Sequence, residues 1–169
     1  MQVMSKLTTL KGFFAMKTYR KGKLIDVYRI NNHIVNGAYQ QLAHLIGGGV
    51  DGRFINRIAF GTNGKEPEDA DQEITNQYAR PVLGYNVLGD GRLSLVQISW
   101  ELEMTENNGM GILELGLLTG DDTLFARITR TKPLWKHPDI SLEGVWTIAL
   151  SEEAVAAFEA GNYGGQGNG

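Results

Sequence analysis

Glu101 and Glu103 are the residues whose type and spacing come nearest to chemistry. Two apart on a strand, they project from one face, giving the proximity that the acid and nucleophile of a glycosidase require. Such a pair works only in a cleft where burial raises one of the two pKa values, and the alternation around it predicts a wet face. No catalytic residue is expected there. His33, His44 and His137 lack the short spacings that bring two imidazoles to one ion. His33 and His44 are separated by about 16 Å of rise if helical, too far to share a metal. Glu66, Glu68, Asp69 and Asp71 carry oxygen ligands, but without the order and central glycine of an EF-hand. They read as a solvated acidic loop, so no metal is expected. The absence of cysteine removes disulfides, thiolate nucleophiles and the usual structural zinc sites. No serine stands in a nucleophile elbow, and neither a Walker loop nor a dinucleotide fingerprint occurs. No cofactor is expected, and the chain reads as a non-enzyme.

Glu114 differs from the other acids because Leu113 and Leu115 flank it in the most apolar run of the chain. A carboxylate buried there needs a partner, and Arg127 on the following strand is the nearest candidate for a structural buried pair. An ion pair between subunits is the other reading. Of the three tryptophans, Trp100 and Trp146 fall on core faces. Trp135, beside Lys132, Pro133 and Lys136, reads as an exposed contact in a turn.

The elements that must position these residues are mostly strands. Residues 13–20 and 23–30 are extended runs separated by Lys21 and Gly22, the signature of a β-hairpin. Asn32 then reads as the cap of a helix carrying Ile34, Ala38, Leu42 and Ile46 on one stripe, stopped by Gly47 to Gly49 and packed on a sheet. From Phe54 the apolar period changes to two. Strands are expected at 54–60, at 78–88 interrupted by Pro81, and at 96–104 with Val96, Ile98, Trp100, Leu102 and Met104 inward. Further strands are expected at 112–118, 123–131 and 141–150. Ser151 caps a short helix through Phe158. The fold class is mainly β, an antiparallel β-sandwich or open barrel, with an N-terminal hairpin, one packed α-helix and a short C-terminal helix. Residues 1–160 make one β-rich domain, with hairpin plus helix over 1–50 and antiparallel sheets over 51–150. A glycine-rich tail at 161–169 is expected to be ordered by a partner.

The chain has 169 residues, enough for one domain with its own core. No apolar stretch approaches the length of a membrane span, and the N-terminus lacks a signal-peptide layout, which predicts a soluble chain without membrane contact. Charge is uneven: residues 1–30 stand at +6, and the remainder at −9. The basic groups alternate along strands and do not cluster on a helix or around a glycine loop, so nucleic acid is not the expected partner. Lys11, Lys17, Arg20, Lys21, Lys23, Arg29 and Trp135 are the interface candidates.

Three segments carry a resemblance. They are INNHIVNGAYQQLAHLIGG at 30–48, INRIAFGTNG at 55–64 and ILELGLLTGDDTLFARI at 112–128. Together, in this order and spacing, they resemble small structural proteins of tailed bacteriophages, the tail-fibre, tail-collar and baseplate group. The resemblance covers about two thirds of the chain, and no long repetitive shaft follows Gly169. It implies a β-rich virion component without an active site, made in the bacterial host cytoplasm. It also implies assembly as a trimer or higher symmetric oligomer with neighbouring virion proteins. A connector, collar, baseplate or capsid-decorating part fits better than a receptor-binding fibre. A carbohydrate-binding module using Trp135 is the alternative, and a glycosidase using Glu101 and Glu103 ranks third.

Overall fold

A computed structural model describes residues 10–163. The expected glycine-rich tail lies outside the described residues from position 164 on, as does Lys6 of the basic N-terminal stretch. The chain is mainly β: among the described residues, nine antiparallel strands form one curled sheet, with two helices. The hairpin pairs β1 (Lys11–Arg20) with β2 (Lys23–Ile34). Its turn holds Lys21 at φ 49° and Gly22 at φ 77°, the two left-handed residues that match the strand twist. The helix α1 (Asn36–Ile46) follows, then β3 (Ile55–Gly61), β4 (Tyr78–Pro81) and β5 (Gly84–Leu88). A 3₁₀ turn at Gly91–Leu93 leads into β6 (Leu95–Leu102), β7 (Gly111–Thr119), β8 (Leu124–Trp135), β9 (Ile140–Ala149) and the helix α2 (Glu152–Glu159).

Strand order across the sheet is β4-β3-β7-β8-β2-β1-β9-β6-β5. The right-handed twist of successive strands curls the sheet until its two halves face each other. Phe14, Met16, Ile98, Trp100, Leu142 and Trp146 from one half meet Ile58, Phe60, Ile112, Leu115, Leu117 and Ile128 from the other in one buried cluster. Phe14 is the aromatic hub, with its centroid 5.0 Å from Trp146 edge-on and 5.6 Å from Trp100 stacked. Strand β2 links the halves on one side, since it pairs with β1 along its length and with β8 only at His33 and Ile34. On the other side residues 82 and 83 turn the corner: the Val82 N–H donates to Asn56 O of β3, and the Leu83 N–H donates to Ser99 O of β6.

Several sequence expectations need correction. Asn32 does not cap a helix. It pairs with Gly12 in the hairpin ladder, and Ile34 pairs with Ala126, so the helix starts at Asn36 behind Val35, with no side-chain cap. The helix seats Ala38 and Gln41 against the sheet, while Ile46 at the end of the expected stripe is 88% exposed. The run 78–88 is not one interrupted strand but two, at opposite edges of the sheet, because the chain crosses between the halves just after Pro81. Trp135 lies at the end of β8 and not in a turn. Gln97, expected on a wet face, is buried, and Met104, expected inside, lies past the end of β6 and is exposed. Leu150 lies beyond β9 and is half exposed. Ser151 caps α2, its Oγ accepting from the Ala154 N–H at 3.0 Å, and Glu152 and Glu153 occupy the first turn.

Candidate functional site

Three places carry polar groups or apolar surface beyond what the core needs. The first is the buried pair. Arg127 Nε donates to Glu114 Oε2 at 2.7 Å, with both side chains almost wholly out of solvent. The remaining guanidinium donors reach Lys65 O, Asn63 O and Asp71 Oδ2 at 2.8–3.1 Å. Glu114 Oε1 accepts from the N–H groups of Asn63 and Thr75. Strands β7 and β8 thus anchor the long loop after β3, and the pair satisfies polar backbone groups that burial would otherwise strand. A parallel staple holds α1: Gln41 Nε2 donates to Thr119 Oγ1 and Asp121 Oδ1, while Arg53 NH1 reaches Gln41 Oε1 and Asp121 Oδ2. The hydrogen bond from Thr119 is the main reason that the Asp121 carboxyl sits below its ordinary pKa, with Thr123 and the Arg53 charge adding to it against a desolvation penalty.

The second place is the outer face of the half formed by β2, β1, β9, β6 and β5. Register places Arg29, Ala15, Val145, Ser99 and Gly84 in one row across the five strands. Four of these five are small or short. On one side runs the row Asn31, Phe13, Thr147, Gln97 and Asn86, and on the other the row Val27, Lys17, Glu143 and Glu101. A line of short side chains between two lines of longer ones is a trough, and it encloses a groove of about 620 Å³. The helix α2 closes one margin, with the Phe158 ring 4.6 Å from that of Phe13.

Glu101 and Glu143 are cross-strand neighbours, an arrangement that repels on its own. Lys17 lies opposite Glu143 on the other side. Tyr19 Oη donates to Glu143 Oε1, and Arg80 NH2 is 3.6 Å from Glu101 Oε1. The bond to Glu143 is also the main cause of the raised Tyr19 pKa. Glu103 does not share this arrangement, because β6 ends at Leu102. The neighbour of Glu101 is therefore Glu143, which sequence spacing could not reveal since it is fixed by register between β6 and β9.

The third place is the hairpin edge. Beyond Asn32 toward the turn, β2 has no ladder partner among the described residues on the side away from β1. Leu24, Ile25, Val27 and Ile30 are each 37–51% exposed along it. The basic interface candidates do not form one patch. Arg20, Lys21 and Lys23 gather at the hairpin tip, where Arg20 Nε is 3.3 Å from Asp139 Oδ2 and the Lys21 N–H donates to Asp139 O. Lys17 and Arg29 border the trough, and Lys11 begins β1 beside Ala149.

The other expected residues are scattered. Trp135 is half exposed, its ring lying against the backbone of Gly111, its ladder partner. Lys136, the sequence neighbour of Trp135, is fully buried, its Nζ donating to Met104 O, Asn108 Oδ1 and His137 O at 2.9–3.3 Å. Burial pushes its pKa down. His33 Nε2 is 2.7 Å from Asp69 Oδ1, so one histidine touches the acidic loop. Among the described residues no three His, Asp or Glu side chains are grouped to hold a metal. Compared with protein-family models, curated proteins and solved structures, the chain matches none.

Proposed function

We propose that this chain is a non-enzymatic structural component of a tailed-bacteriophage virion, a tail, collar, baseplate or fibre-attachment part. It works by protein–protein assembly with further copies of itself and neighbouring virion proteins. The observation that carries the reading is the β2 edge. An unpaired strand edge with exposed apolar side chains is a template for another strand, and monomeric proteins normally cover or blunt it. Here four apolar side chains remain exposed over seven residues. Charge favours a second copy as the occupant. The hairpin β1–β2 carries six Lys and Arg against Asp26 alone, while the chain from residue 31 on stands at −9, so copies attract through unlike surfaces. The loop at 66–73, next to the far end of β2 through His33, offers such an acidic surface. The three segments that carry the phage resemblance also meet in the fold: the buried pair ties Asn63 of the second to Glu114 and Arg127 of the third, and Gln41 of the first bonds Thr119.

The test is the mass of the purified chain in solution together with its recovery on purified virions. An oligomer that Leu24→Lys with Ile25→Lys reduces to folded monomer supports the reading. A strict monomer at all concentrations that also fails to join virions refutes it.

A further inference from the structure

We propose that the trough across the outer face is a binding site for a neutral, chain-like oligosaccharide, separate from Trp135. Its volume of about 620 Å³ lies within the roughly 300–1,000 Å³ of small-molecule sites. The four strands that line it, β2, β1, β9 and β6, at about 4.8 Å spacing give it a length of about 14 Å, so it suits an extended ligand better than a compact one. The floor of Ala15, Val145 and Ser99 is short and largely apolar, which matches the C–H faces of pyranose rings. The banks supply Asn31, which both donates and accepts, together with Glu143 and Glu101, which accept in pairs. Planar two-pronged groups of this kind fit vicinal hydroxyls.

Charge decides against an ionic ligand. Lys17 and Arg29 on the β1–β2 side stand opposite Glu101, Glu143 and Glu159 on the other, close to balance, so neither a polyanion nor a polycation is selected. Direction decides against a peptide. The trough floor runs across β1, β9 and β6, whose backbone groups are paired on both sides within the sheet, so a peptide lying on it would set unpaired N–H and C=O groups on an apolar floor. A sugar chain carries its polar groups at the ring edges, toward the banks.

The probes are maltotriose, cellotriose and tri-N-acetylchitotriose, each titrated to ~10 mM into the whole chain while backbone amide shifts are recorded. Saturable shifts at Ala15, Ser99 and Val145 with at least one sugar are expected. They should weaken about tenfold or more in Ser99→Trp and in Ala15→Trp, which fill the floor from the outer face. Unchanged far-UV dichroism and thermal midpoint establish that a variant is folded, and having two positions guards against one failing. Silence with all three sugars overturns the proposal, as does binding that survives both folded variants. Trough shifts produced by an acetylated Ala-Ser hexapeptide, with none by the sugars, also overturn it.

Discussion

Replacing Glu114 with glutamine removes one negative charge from the core and keeps the shape of the side chain. The amide oxygen can go on accepting from the N–H groups of Asn63 and Thr75, so the loss falls on Arg127. Removing one member of a buried ion pair costs about 3–5 kcal/mol, because the other charge stays buried without its partner. Asp71 Oδ2 remains 2.8 Å from Arg127 NH1 and is itself partly exposed, so it retains part of the compensation. The lower end, about 3 kcal/mol, is therefore expected. With a urea dependence of about 2 kcal/mol per molar, the unfolding midpoint should fall by about 1.5 M. Arg127→Met should cost a similar amount by leaving Glu114 uncompensated. The double variant should cost clearly less than the sum, with a coupling energy of about 2 kcal/mol between the two sites. Hydrogen exchange supplies a local readout, since the amides of Asn63 and Thr75 should remain protected in Glu114→Gln and lose protection in Glu114→Ala. A Glu114→Gln variant within about 1 kcal/mol of the parent, or strictly additive single variants, would refute the reasoning.

Three further outcomes follow from other buried or stapled groups. Lys136→Met leaves Met104 O, Asn108 Oδ1 and His137 O without their shared donor and should destabilise by about 2–4 kcal/mol in denaturant titration. Because burial lowers the Lys136 pKa, the folded chain releases this proton before the unfolded chain does. Stability therefore gains a contribution as pH rises from the lowered value toward the ordinary 10.5, and the parent-minus-variant difference in melting point should show that alkaline rise. The Asp121 carboxyl is depressed below its ordinary 3.8, so its contribution is fully present above that value and is lost as pH falls through the lowered one. Asp121→Asn should flatten the acid limb of the stability curve by this amount, and an unchanged limb would remove Asp121 from the staple that seats α1.

The parts of the fold that could be read in the sequence are those governed by local rules. Lys21 and Gly22 specify their turn through left-handed backbone, and Ser151 caps its helix through a bond spanning three residues. The alternation of Ile98, Trp100 and Leu102 needs only the strand period. What failed depended on distant neighbours. Asn32 and Ile34 look like a helix cap and a helix position until β1 and β8 claim them as ladder residues. Gln97 belongs to a face that solvent would reach if Ala154 and Val155 of α2 did not cover the adjoining row at Leu95 and Ala149. Lys136 illustrates the same limit from the polar side. An ammonium next to an exposed tryptophan suggests solvent, and only the return of residues 104–108 around it adds the Met104 O and Asn108 Oδ1 acceptors to that of His137 O. The trough was equally invisible, since Ala15, Val145 and Ser99 are unremarkable singly and become a floor only when the β1–β9 and β6–β9 registers align them.

The unpaired edge of β2 follows from its position where the sheet curls over. A strand that belongs to both halves must match two neighbours whose directions differ by the accumulated twist, and it can keep full register with only one. Here β1 wins, with pairing from Gly12–Asn32 to Arg20–Lys23, and β8 keeps two residues, His33 and Ile34. Past that point β2 and β8 diverge, touching through Arg130, whose guanidinium lies 4.5 Å from the centre of the Tyr28 ring. The divergence leaves backbone donors and acceptors on β2 that water can satisfy in a monomer and a strand can satisfy in an assembly. Water pairs the backbone but leaves Leu24, Ile25, Val27 and Ile30 exposed, whereas a docked strand covers both kinds of group. The apolar side chains therefore set the preference between the two states, so lysine at Leu24 and Ile25 should separate assembly from folding.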